Sequence, residues 1–208
     1  MSPVSPVFAI ILAAGRSSRF GGDKLIAPLG RRPVLGHVLD TVTASARDGI
    51  LRAVYLVTRN DADPEAALAR EAGAIVVVAE RAGEGLALSL RAGLDRVASS
   101  APASGAAVLI VLGDQPGLRR DVIAEVVRRW RATGAVAVRP EYAGSPGEPG
   151  HPVLLDRRIW PEVARLEGDA GLGGFLRRNA LELVQVPGRN PDIDVPADLA
   201  EFPLEENA

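Results

Sequence analysis

Short runs of large apolar residues alternate along this chain with longer stretches whose apolar residues recur every three or four positions. Val7-Phe8-Ala9-Ile10-Ile11-Leu12 is the first run. It is apolar on both faces and bounded by Gly15, which predicts a strand inside a parallel sheet. Val34, Leu35, Val38, Leu39 and Val42 then form the stripe of an amphipathic helix, and Pro33 suits its first turn. Leu51–Thr58 and Ile75–Val78 predict a second and a third strand. Between them Asp63-Pro64 opens a short helix that reaches about Glu71 and ends at Gly73. Leu86, Leu90, Leu94 and Val97 mark one face of the next helix, with Ser89 off that stripe. Val108–Leu112 is the most continuous apolar strand and is expected at the sheet centre.

Arg119–Arg131 predicts a helix that turns Val122, Ile123, Val126, Val127 and Trp130 to the core, and Ala135–Val138 a further strand. Arg139–Pro152 holds four prolines and three glycines in fourteen residues. It reads as a long loop of the kind that often carries function. Short helices at Pro161–Leu166 and Leu172–Arg178, a last strand at Leu183–Val186 and a terminal helix at Pro196–Phe202 complete the chain. His37 falls among the solvent-side positions of its helix, which favours a solvated or packing role. Ala98–Gly105 reads as a surface linker, and no internal repeat is visible. Strands alternating with helices imply βαβ units. The expected fold is α/β: one Rossmann-like three-layer sandwich over residues 1–208, a mostly parallel sheet with helices on both faces. Residues 1–6 are expected to form a loose, disordered N-terminus.

Composition narrows the function. A length of 208 residues fits one domain with a sizeable core. The net charge of −2 provides no global field for nucleic acid or anionic lipid. The chain has no cysteine and two histidines, which excludes disulfides and thiolate nucleophiles and disfavours zinc. Val7–Ala14 is too short to span a membrane. Met1–Pro6 lacks the basic residues of a secretion signal, so a cytoplasmic protein without membrane or nucleic-acid partners is expected.

Candidate chemistry begins in the loop after the first strand. Gly15, Gly21 and Gly22 permit close backbone approach, Ser17 and Ser18 bring hydroxyls, and Arg19 and Lys24 bring a planar fork and a point charge. Such a loop suits a polyphosphate. It fits neither common phosphate fingerprint. Gly-x-Gly-x-x-Gly would need glycine at Ser17, and a P-loop would need lysine directly after its second glycine. A second focus is Asp114 in Gly113-Asp114-Gln115-Pro116, an acid at the tip of the central strand and so at the mouth of the crevice. It is placed to hold Mg²⁺, or it is simply a turn aspartate. In extended chain Asp192 and Asp194 share a face while Ile193 points inward, which suits either metal ligation or a capped entry into the terminal helix.

Leu-Ala-Ala-Gly-x-Ser-x-Arg-Phe-Gly-x-x-Lys over Leu12–Lys24 resembles the signature of nucleotidyltransferases that share the sugar-nucleotide-transferase fold. Within them it is most similar to the molybdenum cofactor cytidylyltransferase and guanylyltransferase group, and the resemblance spans Val7 to Leu199. It implies a nucleotidyltransferase that moves a nucleoside monophosphate from an NTP to a phosphorylated acceptor with Mg²⁺, releasing pyrophosphate. By the same resemblance Arg19, Lys24 and Asp114 are catalytic, and Asp114, Asp192 and Asp194 hold the metal. The nucleotide lies against Leu12, Ala13, Ala14, Gly15, Ser17, Arg19, Lys24, Ser89 and Asp114. Gly85, Ser89, Leu90 and Gly93 match a Gly-x-x-x-Ser-Leu-x-x-Gly element beside the nucleotide, although a solvent-facing serine on a core helix reads equally well.

Gly150-His151-Pro152-Val153-Leu154 resembles the acceptor-side element of the cytidylyltransferases, and Gly150, His151 and Asp169 are the implied acceptor contacts. For His151 a capping or loop role is the favoured reading, because nucleotidyl transfer to a phosphate needs no general base; Asp169 reads equally as a helix N-cap. Ala14, where the guanylyltransferases carry glycine, leans toward CTP and CMP transfer over GMP. The implied acceptor is molybdopterin cofactor, with a molybdenum enzyme as a possible partner. Gly171-Leu172-Gly173-Gly174 replaces the family's usual continuation, and Val195 and Ala197 depart from its Asp-Ile-Asp-Thr-Pro-Glu-Asp element. Two other readings fit the chain: a sugar- or alditol-phosphate nucleotidyltransferase, and a non-catalytic nucleotide- or cofactor-binding maturation factor.

Overall fold

The computed structural model describes residues 5–15, 19–81, 85–166, 171–178 and 181–202. Most of the expected loose N-terminus, residues 1–4, lies outside that range. The first half runs β1 (Val7–Leu12), β2 (Pro28–Leu29), β3 (Arg32–Pro33), α1 (Val34–Arg47), β4 (Ala53–Thr58), α2 (Pro64–Glu71), β5 (Ile75–Val78) and α3 (Leu86–Ala98). The second half runs β6 (Ala107–Leu112), α4 (Arg120–Thr133), β7 (Ala137–Tyr142), β8 (Val153–Asp156), α5 (Trp160–Val163), α6 (Gly171–Arg178), β9 (Leu181–Val186) and α7 (Pro196–Glu201). None of these helices is long and apolar enough to cross a membrane.

One sheet takes the order β5-β4-β1-β6-β8-β7-β9, so β6 is its middle strand, as its continuous apolar run predicts. β1 pairs in parallel with β4 and β6, while β8 runs antiparallel between β6 and β7. The alternation of β1 divides the core. Val7, Ala9 and Ile11 pack with α1, α2 and α4, and Phe8, Ile10 and Leu12 pack with α3, α5 and α6. Ile10 and Ile11 are wholly buried, and each such burial contributes about 1.5–3 kcal/mol. The three-layer Rossmann-like architecture is therefore present.

Several local readings change. Leu86 belongs by spacing to the buried stripe of α3 but is 42% exposed, whereas Ser89 is buried. The face that meets the sheet is Ala87, Ser89, Leu90, Gly93, Leu94 and Val97. It is centred on Gly93, whose hydrogen faces β1: a Cβ there would stand 2.8 Å from Ile10 Cγ2. Ser89 rides on this close approach, one turn before Gly93, and is not solvent-facing. Pro33 lies in a small β2–β3 hairpin and caps α1 from outside the helix. His37 is half-buried, with Nε2 2.8 Å from the Leu29 carbonyl.

The segment 139–152 is not all loop. Arg139–Tyr142 completes β7, because β9 pairs with it in parallel as far as Tyr142. Pro140 sits beyond the β7–β8 ladder, which stops at Val138, and its carbonyl accepts from the Gly150 N–H at 2.9 Å. Val153–Asp156 is a strand in its own right. Its antiparallel register, Ile110 opposite Val153, brings His151 beside the carboxyl end of β6.

Candidate active site

Three chain segments converge at the carboxyl end of β1 and β6. The main chain is tied down first. Ala13 N–H donates to the Val57 carbonyl and Gly113 N–H to the Leu12 carbonyl, at 2.9 and 3.0 Å. Gly113 is needed for that approach, because a Cβ would lie 3.1 Å from the Leu12 oxygen. The Ile193 N–H donates to the Asp114 carbonyl at 2.9 Å, bringing in the segment after β9. Ile193 is buried with Leu29 and Val34. The residues on either side, Asp192 and Asp194, are thereby turned the other way, as strand alternation predicts. Asp198 supports the turn by accepting from the Asp194 and Val195 N–H groups at 2.7 and 2.9 Å.

Charge meets charge on this scaffold. Lys24 Nζ lies 2.6 Å from Asp114 Oδ2 and 3.2 Å from Asp194 Oδ1. Arg19 reaches both oxygens of Asp194, at 3.1 Å each. Lys24 is the only lysine in the sequence; every other basic side chain apart from the two histidines is arginine. A compact, strongly hydrated ammonium therefore stands at the one position where two carboxylates converge on it. Burial alone would lower the Lys24 pKa. Its hydrogen bonds and attraction to Asp114, and then to Asp194, outweigh burial and hold it above the ordinary lysine value. Asp192 behaves oppositely. Burial first, and the neighbouring Asp114 charge second, push its carboxyl above the usual aspartate range.

Asp114 Oδ1 is buried and has no hydrogen-bond partner. An orphaned carboxylate oxygen beside two further aspartates is a donor set that suits a hard cation. Among the described residues no three carboxylate, imidazole or thiol side chains converge as a ready-made cage. A site for Mg²⁺ or Mn²⁺ here would take one or two carboxylates and complete its shell with phosphate oxygens and water.

The first strand end presents Leu12, Ala13 and Ala14 as buried residues, with Gly15 exposed and open space where its Cβ would be. These positions, Arg19, Lys24, Asp114, Asp192 and Asp194 are thus brought together at one end of the sheet, with buried Ser89 on the helix packed against β1. Ser17, Ser18 and Asp169 lie outside the described residues. Gly150 and His151 stand at the same end of the sheet, on the β8 side. Gly150 packs under the Tyr142 ring, where a Cβ would lie 2.8 Å from the ring edge, and Tyr142 Oη donates to the His151 carbonyl at 2.8 Å. Arg139 Nε donates to the Gly150 carbonyl at 2.9 Å. Burial, with the Arg139 charge second, drives the His151 pKa down to about 3, so its ring is neutral. Its Nδ1 is buried without a partner.

Two residues of the site escape the sequence motifs. Gln115 Nε2 donates to Asp192 Oδ1 at 2.6 Å, and Asn190 Nδ2 donates to Gln115 Oε1 at 3.1 Å. Burial raises the Tyr142 pKa, and the Asn190 side chain works against that rise. The only signal for Gln115 is its place between Asp114 and Pro116; hydrophobic patterning has no means of showing a buried amide.

Over 145 residues the chain is 28% identical to the probable molybdenum cofactor guanylyltransferase of Pyrococcus horikoshii, covering 70% of this chain and 67% of that protein. It is 32% identical over 153 residues to the bifunctional protein GlmU of Parvibaculum lavamentivorans, covering 70% of this chain and 31% of that protein. The chain thus spans about a third of the length of this GlmU. The solved structure of Rv0371c from Mycobacterium tuberculosis in complex with manganese aligns with a TM-score of 0.72 and 28% identity, covering 94% of this chain and 97% of that one. The sequence profile of the MobA-like NTP transferase domain matches residues 9–184, and the chain belongs to that family.

Proposed function

We propose that this protein transfers a nucleoside monophosphate from an NTP to a phosphorylated small-molecule acceptor and releases pyrophosphate. The observation that carries the reading is the contact of Lys24 with Asp114 and Asp194, with Arg19 alongside. It sets the cations of the glycine-rich loop against the acid of the central strand. An acceptor phosphate oxygen attacks the α-phosphorus in line; the bond to the bridging oxygen breaks, and its electron pair leaves with pyrophosphate. Such chemistry is mostly positioning and charge neutralisation. Arg19 and Lys24 neutralise the leaving pyrophosphate, with loop N–H groups assisting. Asp114, with Asp192 or Asp194, would hold a divalent ion, Mg²⁺ in this reading, which when bound reduces the charge on the α-phosphate. The tethered main chain of Leu12–Ala14 lies against the base. His151, neutral, borders the acceptor without donating charge to it.

CTP is the proposed donor, from Ala14, and molybdopterin cofactor the proposed acceptor. The likeness to a probable molybdenum cofactor guanylyltransferase supports the acceptor class. The likeness to GlmU supports a sugar-phosphate acceptor as the second reading. A cytoplasmic site of action, where NTPs are plentiful, goes with either. The test is pyrophosphate release from each NTP with Mg²⁺ across a panel of pterin-phosphate, sugar-phosphate and alditol-phosphate acceptors, beside Asp114→Asn. Loss of release in the variant with retained folding is expected. Wild-type rates in Asp114→Asn would remove the metal role, and nucleotide binding without release in the native protein would make it a binding factor.

A further inference from the structure

Gln115 is 8% exposed and its side-chain amide is used at both ends. An ionised carboxylate only accepts hydrogen bonds, so the Gln115 NH₂ must face Asp192 and its oxygen must face away. That oxygen faces Asn190, which must present its own NH₂. Asn190 therefore donates to Gln115 Oε1, and Gln115 in turn donates to Asp192 Oδ1. Neither amide has a free choice of orientation. Both are also fixed by main chain: Gln115 follows Asp114 directly, and Asn190 precedes Asp192 by two residues.

The geometry points to Gln115 as a positioning residue that fixes the Asp192 carboxylate for metal binding, with Asn190 locking the Gln115 amide. Without the 2.6 Å contact, Asp192 is free to rotate toward Lys24 or solvent, since nothing else described donates to its Oδ1. Outer partners of metal ligands typically contribute 10- to 100-fold in metal affinity. This inference rests on the reading of Asp192 as a metal ligand.

The test uses Mn²⁺ alone, followed by the electron paramagnetic resonance of the free ion, on the native protein and on Gln115→Leu, Gln115→Asn and Asn190→Leu, with melting temperatures measured in parallel. Gln115→Leu is expected to weaken Mn²⁺ binding about 10-fold or more. Gln115→Asn, which keeps the donor one methylene short, and Asn190→Leu, which frees the amide to turn over, are expected to weaken it by smaller factors. Should Gln115→Leu fail to fold, the other two variants carry the measurement. Mn²⁺ affinity within twofold of native in the folded variants overturns the role of Gln115 and leaves the proposed reaction standing. A native protein that binds no Mn²⁺ overturns the metal assignment of the proposed function as well as this inference.

Discussion

The Lys24 ammonium stands 2.6 Å from Asp114 Oδ2, so a cation already sits between the carboxylates of this site. The two side chains are only 14% and 20% exposed, which puts the pair among those whose disruption is costly. In the proposed reaction Lys24 and a divalent ion would compete for Asp114 and Asp194, and a bound triphosphate would draw the ammonium away.

Lys24→Ala should destabilise the ligand-free protein by on the order of 1–3 kcal/mol, between the values of exposed and fully buried pairs, because Asp114, Asp192 and Asp194 lose their shared counter-charge. Mn²⁺ should then raise the melting temperature of the variant by more than it raises that of the native protein. NTP affinity should fall. Differential scanning fluorimetry with and without Mn²⁺ and each NTP reads all three. An equal Mn²⁺ response in both proteins would show that the ammonium does not contest the ion's place.

Gly93→Ala probes the seat of α3. The added Cβ would stand 2.8 Å from Ile10 Cγ2, and Ile10 is fully buried with no room to yield. Such overpacking costs about 1–3 kcal/mol and should lower the melting temperature. It should also weaken NTP binding, since α3 must lift and carry Ser89 with it. Gly15→Ala makes the contrast, having open space at its Cβ, and should leave the melting temperature nearly unchanged.

Glu65 gives the ligand-free stability a pH dependence. Its side chain, at the start of α2, is 3% exposed and Oε2 lacks a partner. Burial first, then the Asp23 and Asp63 carboxylates, raise its pKa to about 7. The folded protein therefore holds a proton that the unfolded chain releases near the ordinary glutamate value of 4.5. Stability should decline as pH rises from about 4.5 to about 7 and then level off. Glu65→Gln should flatten that decline and raise the melting temperature at pH 8 by on the order of 2–4 °C. Asp192, raised in the same direction, leaves a residual slope in the variant.

His151 should not titrate in the working range. With a pKa of about 3 its ring is uncharged, so the ring-proton resonances in a proton NMR titration should stay fixed between pH 5 and 8. Movement of the His151 signal within that range would restore an imidazolium to the acceptor side.

The parallel half of the fold is legible in the sequence, because Val7–Leu12 and Val108–Leu112 read as unbroken apolar runs and Val54–Val57 is apolar and buried on both faces. The second half is less so. Pro140 and the glycines around it make Arg139–Tyr142 look like loop, though the strand is held from the β9 side. β8 is only four residues long and directly follows a turn, so its apolar residues pass as the tail of a motif. Within the site, Arg19, Lys24, Asp114 and Asp194 are legible because each stands at a strand tip or in a turn marked by glycine or proline. Gln115 and Asn190 are not, since their function lies in whom they touch across 75 residues of chain.

The solitary lysine has a practical consequence. Reagents that acylate amines have one side-chain target in the whole protein, and it stands between two carboxylates at the heart of the site. The extent of Lys24 labelling, read as a single mass increment and set apart from the amino terminus by peptide mapping, is thus a direct gauge of occupancy: whatever compound takes hold there, its footprint falls on one nitrogen.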